Sequence, residues 1–374
     1  MTLLARFAVV SDLHIALPHT IWDSPARFHL VEVSIPSLEQ ILTQLEAANP
    51  DFLLLPGDLV QHGERENHRW LAQRLAQLPF PTYVVPGNHD VIRRSGCDRT
   101  ISLEEFTHQY AHCGYDTPGQ PYYRREIAPG LQLIGLNSNG FDADGEPFYS
   151  GWLDAAQLTW LDQQLHQLMA LNPRPLTLVM VHHNGLEHLP RQANSPMGQR
   201  YMIKNADALI QRLHQAQIPL LFTGHLHVQD IASSERLYEV TTGSLVSYPH
   251  PYRLCELHQD APGVYRLQVS SERIRTVPDW PDLQHASREW MVERSLPFVT
   301  RLLTSPPLNL SPELAAEYAP RLRHFWAAIA DGDTYFNFPD FPVELQQYLQ
   351  EFNVGGIPID NQATLALTSS LALF

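Results

Sequence analysis

Five times in this chain a short apolar run stops at residues that carry chemistry. The runs 7–10, 52–55, 82–85, 176–181 and 219–222 lead to Asp12-Leu13-His14, Gly57-Asp58, Gly87-Asn88-His89-Asp90, His182-His183 and Gly224-His225-Leu226-His227. Each run is short and rich in branched residues, the pattern of a strand buried on both faces. Helical periodicity fills the gaps, over 35–48, 67–77, 155–171 and 205–216, with Asn205 placed as an N-cap. Strands alternating with helices restrict the chain to a layered α/β or α+β fold. The five motifs then lie where strands end, the usual place for a site in an open α/β sheet.

The residue types narrow the chemistry. Carboxylate, imidazole and amide groups delivered to one edge suit a pair of divalent ions. Asp12 and His14 are two apart, as are His225 and His227, and in an extended strand end such residues point to the same side. Asp58 can bridge two ions with its two oxygens. We therefore assign Asp12, His14, Asp58 and His227 to one ion and Asp58, Asn88, His182 and His225 to the other. Two ions roughly 3.5–4 Å apart can share a hydroxide and stabilise attacking and leaving oxygens together. His89 is left over as the group that protonates the leaving oxygen, with Asp90 orienting its ring. Arg93 and Arg94, just beyond, are candidates to hold a phosphate oxygen. Singly, Gly-Asp and Gly-Asn are ordinary turn dipeptides; it is the set, in order and each after a strand, that carries the reading. His19, His29, His62, His68, His108, His112 and His188 lack that strand-end context and are read as solvated, capping or core residues.

Composition bounds the rest. With 44% hydrophobic and 17% charged residues in 374, the chain can bury a large core. A formal net charge of -15 excludes a broad electrostatic footprint for nucleic acid or anionic membrane. The 3 cysteines form no CxxC pair, which points to a reducing compartment without a disulfide framework. The N-terminus reads as a strand rather than a signal peptide, and no apolar run approaches a membrane span, so a cytoplasmic location is expected. After a strand pair over 252–257 and 264–269, prolines and aromatics punctuate a tail with helical candidates at 286–299, 312–331 and 343–352. The expected division is 1–276 for the catalytic domain and 277–374 for a C-terminal helical extension. The aromatic segment 335–341 packs either on its own domain or in a homodimer. The loop-rich stretches 93–121 and 184–204 are expected to shape the substrate pocket.

The ordered set Asp-x-His, Gly-Asp, Gly-Asn-His-Asp, His, Gly-His-x-His resembles the calcineurin-like metallophosphoesterase superfamily over roughly the first three quarters of the chain. Gly57-Asp58-Leu59-Val60-Gln61-His62-Gly63, followed by Pro86-Gly87-Asn88-His89-Asp90, resembles the bacterial class III cyclic-nucleotide phosphodiesterases. Asn184-Gly185 stand where prolines usually follow the paired histidines. The resemblance implies a four-layer α/β/β/α sandwich and a dinuclear Mn, Fe or Zn centre, with the ligand roles given above. It implies a phosphodiesterase acting on a small phosphodiester such as a cyclic nucleotide, by attack of a metal-bridging hydroxide. Alternatives are a phosphomonoesterase, a nucleotide-anhydride hydrolase, or an inactive scaffold on the same fold.

Overall fold

A computed structural model describes residues 2–22, 27–354 and 359–368. In chain order its elements are β1 (Thr2–Val9), α1 (Ser34–Ala48), β2 (Phe52–Leu55), α2 (Arg65–Leu75), β3 (Thr82–Val84), α3 (Leu103–Gln109), β4 (Tyr123–Ala128) and β5 (Leu131–Gly135). Then come α4 (Ala155–Met169), β6 (Leu176–Met180), α5 (Pro196–Gln199), α6 (Ala206–Gln215), β7 (Leu220–Thr223), β8 (Asp230–Ser234), β9 (Leu237–Thr241), β10 (Pro251–Ala261) and β11 (Val264–Arg273). The remainder is α7 (Leu283–Thr304), α8 (Pro312–Tyr318), α9 (Phe325–Asp331), α10 (Val343–Gln350) and β12 (Gln362–Thr368).

The strands form two six-stranded sheets, ordered β12-β11-β10-β1-β2-β3 and β4-β5-β6-β7-β9-β8. In the first, β1, β2 and β3 run parallel and β10 pairs antiparallel with β1. In the second, β5, β6, β7 and β9 run parallel, and β4 and β8 are antiparallel edges. Alternate residues of one strand serve different layers. Leu178 and Met180 join the core between the sheets, whereas Val179 and Val181 pack under α4 and α6. Burial on both faces is why these strands read as continuous apolar runs. Phe7 ties the sheets together, stacked on Phe52 at 4.7 Å and edge-on to Phe222 at 5.8 Å. Leu38, Ile41, Leu42 and Leu45 of α1 cover the first sheet, and Leu161, Leu165, Leu209 and Leu213 of α4 and α6 cover the second. The result is the expected α/β/β/α sandwich.

Three local expectations change. The helix expected over 312–331 is broken into α8, a short 3-10 turn (Ala319–Leu322) and α9. Asn205 does sit at the N-cap of α6, but its amide side chain exchanges hydrogen bonds with the backbone of Leu153 and leaves the helix amides uncapped. The tail is also not wholly helical. β12 returns to the first sheet and pairs antiparallel with β11, burying Ala363, Leu365 and Leu367. Among the described residues no helix is long and apolar enough to cross a membrane.

Candidate metal centre

The C-terminal ends of β1, β2, β3, β6 and β7 meet at one edge, and all seven residues assigned to metal lie there. Asp12 and His14 follow β1, Asp58 follows β2, Asn88 follows β3, His182 follows β6, and His225 and His227 follow β7. Their backbone differs from the extended geometry inferred from sequence. Asp12, His14, Asp58, His225 and His227 have φ of 52°, 42°, 50°, 66° and 60°, all left-handed. Left-handed turns at the ligands, not the pleat of a strand end, aim these side chains. The neighbouring glycines have a physical reason. A Cβ on Gly87 would overlap the Asp58 carboxylate, and one on Gly224 would overlap Ser11 and Asp12.

Two clusters share Asp58. Asp12, His14, Asp58 and His227 form one, and Asp58, His182 and His225 the other, each with ligand atoms within 4.8 Å of one another. In the first, His227 Nε2 lies 3.0 Å from Asp12 Oδ1 and 3.4 Å from His14 Nε2. Asp58 Oδ2 lies 3.8 Å from His14 Nε2 and 3.3 Å from His182 Nε2. Asn88 Oδ1 joins the second cluster, 3.2 Å from His182 Nε2. Outside the clusters, backbone groups fix the rings and carboxylates. His182 Nδ1 donates to the Pro56 carbonyl at 2.8 Å, which turns Nε2 inward. His225 Nε2 donates to the Arg200 carbonyl at 3.1 Å, leaving Nδ1 as its ligand atom. The His225 amide donates to Asp12, and the His89 amide donates to Asp58 Oδ1 at 2.8 Å.

The electrostatics suit cations. Burial holds the His14 imidazole well below its ordinary pKa, reinforced by His29, and burial with His183 does the same to His225. Both present neutral lone pairs. Burial works to raise the Asp58 carboxyl, but His182, His89 and His14 outweigh it and hold the group well below the usual range. Burial likewise lowers His182, and the adjacent Asp58 carboxylate overrides it, raising its pKa to about 9. Two imidazole nitrogens turned toward one another beside buried carboxylates make a donor set that fits divalent ions.

Asp90 is placed otherwise than expected. Its Oδ1 accepts from the amides of Leu59 and Val60 at 2.7 and 3.0 Å, and its Oδ2 from Gly87 at 2.8 Å. The His89 ring is held instead by the Gln61 carbonyl, to which Nδ1 donates at 2.7 Å. Adjacent residues in a turn point in different directions, so sequence adjacency misled here. Arg93 lines the cleft over the clusters and is paired with Glu146. Arg94 lines a different cavity, with Asn137, Asn139 and Trp152.

His29, which lacks strand-end context in the sequence, lies beside the clusters. Its ring stacks on His14 at 4.2 Å and lies 4.7 Å from His227, and with them it forms a third group of potential ligands. No apolar run leads into it in the sequence, so no strand-end signal could have found it. His188, also set aside, is buried between Asp230 and Glu239. His68 is a satisfied core residue, bonded to Tyr110 and the Asp90 carbonyl.

The cleft above the clusters measures about 1340 Å³. Its floor includes Asp58, Asn88, His89, His225 and His227. The 184–204 stretch contributes Met197, Arg200 and Tyr201, while the 93–121 stretch contributes only Arg93. The tail also reaches it, through α7 and through Trp326 of α9.

Comparison with known proteins gives the family. The chain is 29% identical over 191 residues to a 3′,5′-cyclic-nucleotide phosphodiesterase of Nostoc sp., covering 50% of this chain and 60% of that protein. It is 26% identical over 254 residues to the 3′,5′-cyclic adenosine monophosphate phosphodiesterase CpdA of Escherichia coli (66% and 82%). It is 24% identical over 282 residues to the glycerophosphodiester phosphodiesterase GpdQ of Enterobacter lignolyticus (73% and 90%). In fold it is similar to a dimetal phosphatase from Danio rerio, with a TM-score of 0.53, 14% identity, and coverage of 72% of this chain and 96% of that one. The model of the calcineurin-like phosphoesterases matches residues 5–229, a span that takes in every residue from Asp12 to His227; the chain belongs to the calcineurin-like phosphoesterase family.

Proposed function

We propose that the protein is a dinuclear metal-dependent phosphodiesterase acting on a small phosphodiester, with nucleotides among the candidate substrates. The observation that carries this is the sharing of Asp58 between two ligand clusters at the floor of an open cleft. Asp12, His14, Asp58 and His227 would hold one ion, and Asp58, Asn88, His182 and His225 the other. Two bound ions of the Mn, Fe or Zn type supply Lewis-acid activation of the phosphoryl group and of water. The chain's own residues do the rest. The Gln61 carbonyl fixes the His89 ring through Nδ1, so Nε2 is the atom that donates to the leaving oxygen. Asp90 holds the 58–60 and 87–90 turns together and acts through position. Arg93 reaches the same cleft and is available to a phosphate oxygen when it exchanges Glu146 for substrate. The relatives named for cyclic-nucleotide and glycerophosphodiester hydrolysis support a diester over a monoester.

The test is hydrolysis of bis(p-nitrophenyl) phosphate by metal-free protein with and without added Mn²⁺. Metal-dependent release of p-nitrophenolate is expected. His89→Ala should keep its metal and lose about 10²-fold or more in rate, as removal of a positioned acid does. Asp58→Ala should lose both ions and the activity together. A metal-loaded protein with no turnover of any diester would leave the inactive-scaffold reading.

A further inference from the structure

One face of α7 runs along the cleft. Met291, Arg294, Phe298 and Arg301 all line it, at spacings of three and four residues that place them in one stripe of the helix. Pro297 lies within the same turn as Phe298, and its missing N–H removes the helical hydrogen bond to the Glu293 carbonyl. Phe298 is half-buried. Trp326 of α9 packs against it at 4.9 Å with the rings tilted by 57°, so the ring is held on one side and open to the cleft on the other. Across the same cleft Phe148 and Tyr149 are exposed, at 44% and 70%. Exposed apolar groups that line one cleft mark a surface that meets a ligand. Here they rim a cavity whose floor is polar and built for phosphoryl oxygens.

We propose that the C-terminal extension is a substrate-binding wall, with Phe298 as the ring on which an aromatic arm of the phosphoryl substrate stacks. Because Trp326 already fixes Phe298, little side-chain freedom is lost on binding. The extension then selects among diesters by what the phosphorus carries, while the strand-end residues hold the phosphoryl group itself. This inference rests on the phosphoryl-binding reading above.

Single-arm probes separate the two. Phenylphosphonate and methylphosphonate carry the same anion and differ in the ring alone. Binding of each to Mn²⁺-loaded full-length protein is measured by calorimetry, without turnover. The wild type is expected to bind phenylphosphonate about tenfold more tightly, within the range of ring-stacking contributions. Phe298→Leu keeps apolar packing against Trp326 and should abolish that preference with methylphosphonate affinity unchanged; Phe298→Tyr should retain it. If the wild type binds both phosphonates equally, or Phe298→Leu keeps the preference, the wall is overturned while the metal-site reading stands. If neither phosphonate binds, both fall.

Discussion

Five of the seven assigned ligands sit at positive φ. For a residue with a Cβ that conformation costs of order 1–3 kcal/mol and persists only where the surroundings impose it. His14 carries further costs: it is fully buried, its Nδ1 has no hydrogen-bond partner among the described residues, and its ring faces His29 and His227. Asparagine tolerates the left-handed region better and has no ring to bury. In metal-free protein, His14→Asn is therefore expected to melt higher than wild type, by about 1 kcal/mol, while losing metal affinity. Thermal melts in chelator check the sign; a lower melting point would show that His14 stabilises the fold without metal. Asp90 predicts the opposite. Its carboxylate satisfies three buried amides, so Asp90→Asn should lower stability by about 1–3 kcal/mol with or without metal. Sequence could give the identity of these residues but not their roles. His89-Asp90 reads as an orienting pair, and only the turn geometry shows that Gln61 does the orienting.

The elements themselves were largely legible. Parallel strands buried on both faces announce themselves as apolar runs, and amphipathic helices such as α1 and α4 by their spacing. What escaped were features set by distant partners. Gln362 to Leu367 alternate exposed and buried residues as a strand should, yet their partner β11 lies nearly a hundred residues earlier. Asn184-Gly185, where prolines were expected, make a buried polar junction between elements. Asn184 bonds Thr223, and the Gly185 and Leu186 amides donate to Glu239 on β9. His188 completes it, 2.5 Å from Asp230 Oδ2 and 3.0 Å from Glu239 Oε1. Burial alone would lower this imidazole, but Glu239 and Asp230 raise its pKa from 6.5 to about 10. A raised folded-state value means the stabilisation is complete below pH 6.5 and is lost as pH climbs toward 10. His188→Gln should therefore cost about 3 kcal/mol in mildly acidic buffer, since it removes the cation between two carboxylates and leaves Glu239 only its neutral donors, and the gap to wild type should close on the alkaline side. Denaturant melts across that range decide it; a gap that widens with pH would contradict the pairing.

At the scale of the molecule, the question is whether the extension is an appendage or part of the site. Leu226, between ligands His225 and His227, and Val228 just after them belong to the same core as Phe325, Trp326, Ile329 and Ala330. The Gln229 amide donates to the Ala330 carbonyl at 3.1 Å, and Arg273 pairs with Asp331 at 2.6 Å. Trp290 Nε1 reaches the Phe28 carbonyl at 3.2 Å, beside His29. Within the aromatic segment 335–341, Phe336 and Phe341 are buried in this core and Tyr335 is exposed. The segment therefore spends most of its apolar surface on its own chain. Cutting the chain after residue 276 would strip the cover from Leu226 and Val228 and unpair the outer edge of β11. The loop carrying His225 and His227 would then lose the packing that holds it in its left-handed turns. We expect the 1–276 fragment to lose metal occupancy as well as stability, with His225 and His227 failing first and the His182–Asn88 side retaining weaker binding. Metal content per chain, read beside melting temperature and solution mass, tests this. A fragment that holds two ions and melts like the full chain would make the extension an independent appendage. A fragment that folds but holds fewer ions would show that the tail fixes the ligand geometry from behind.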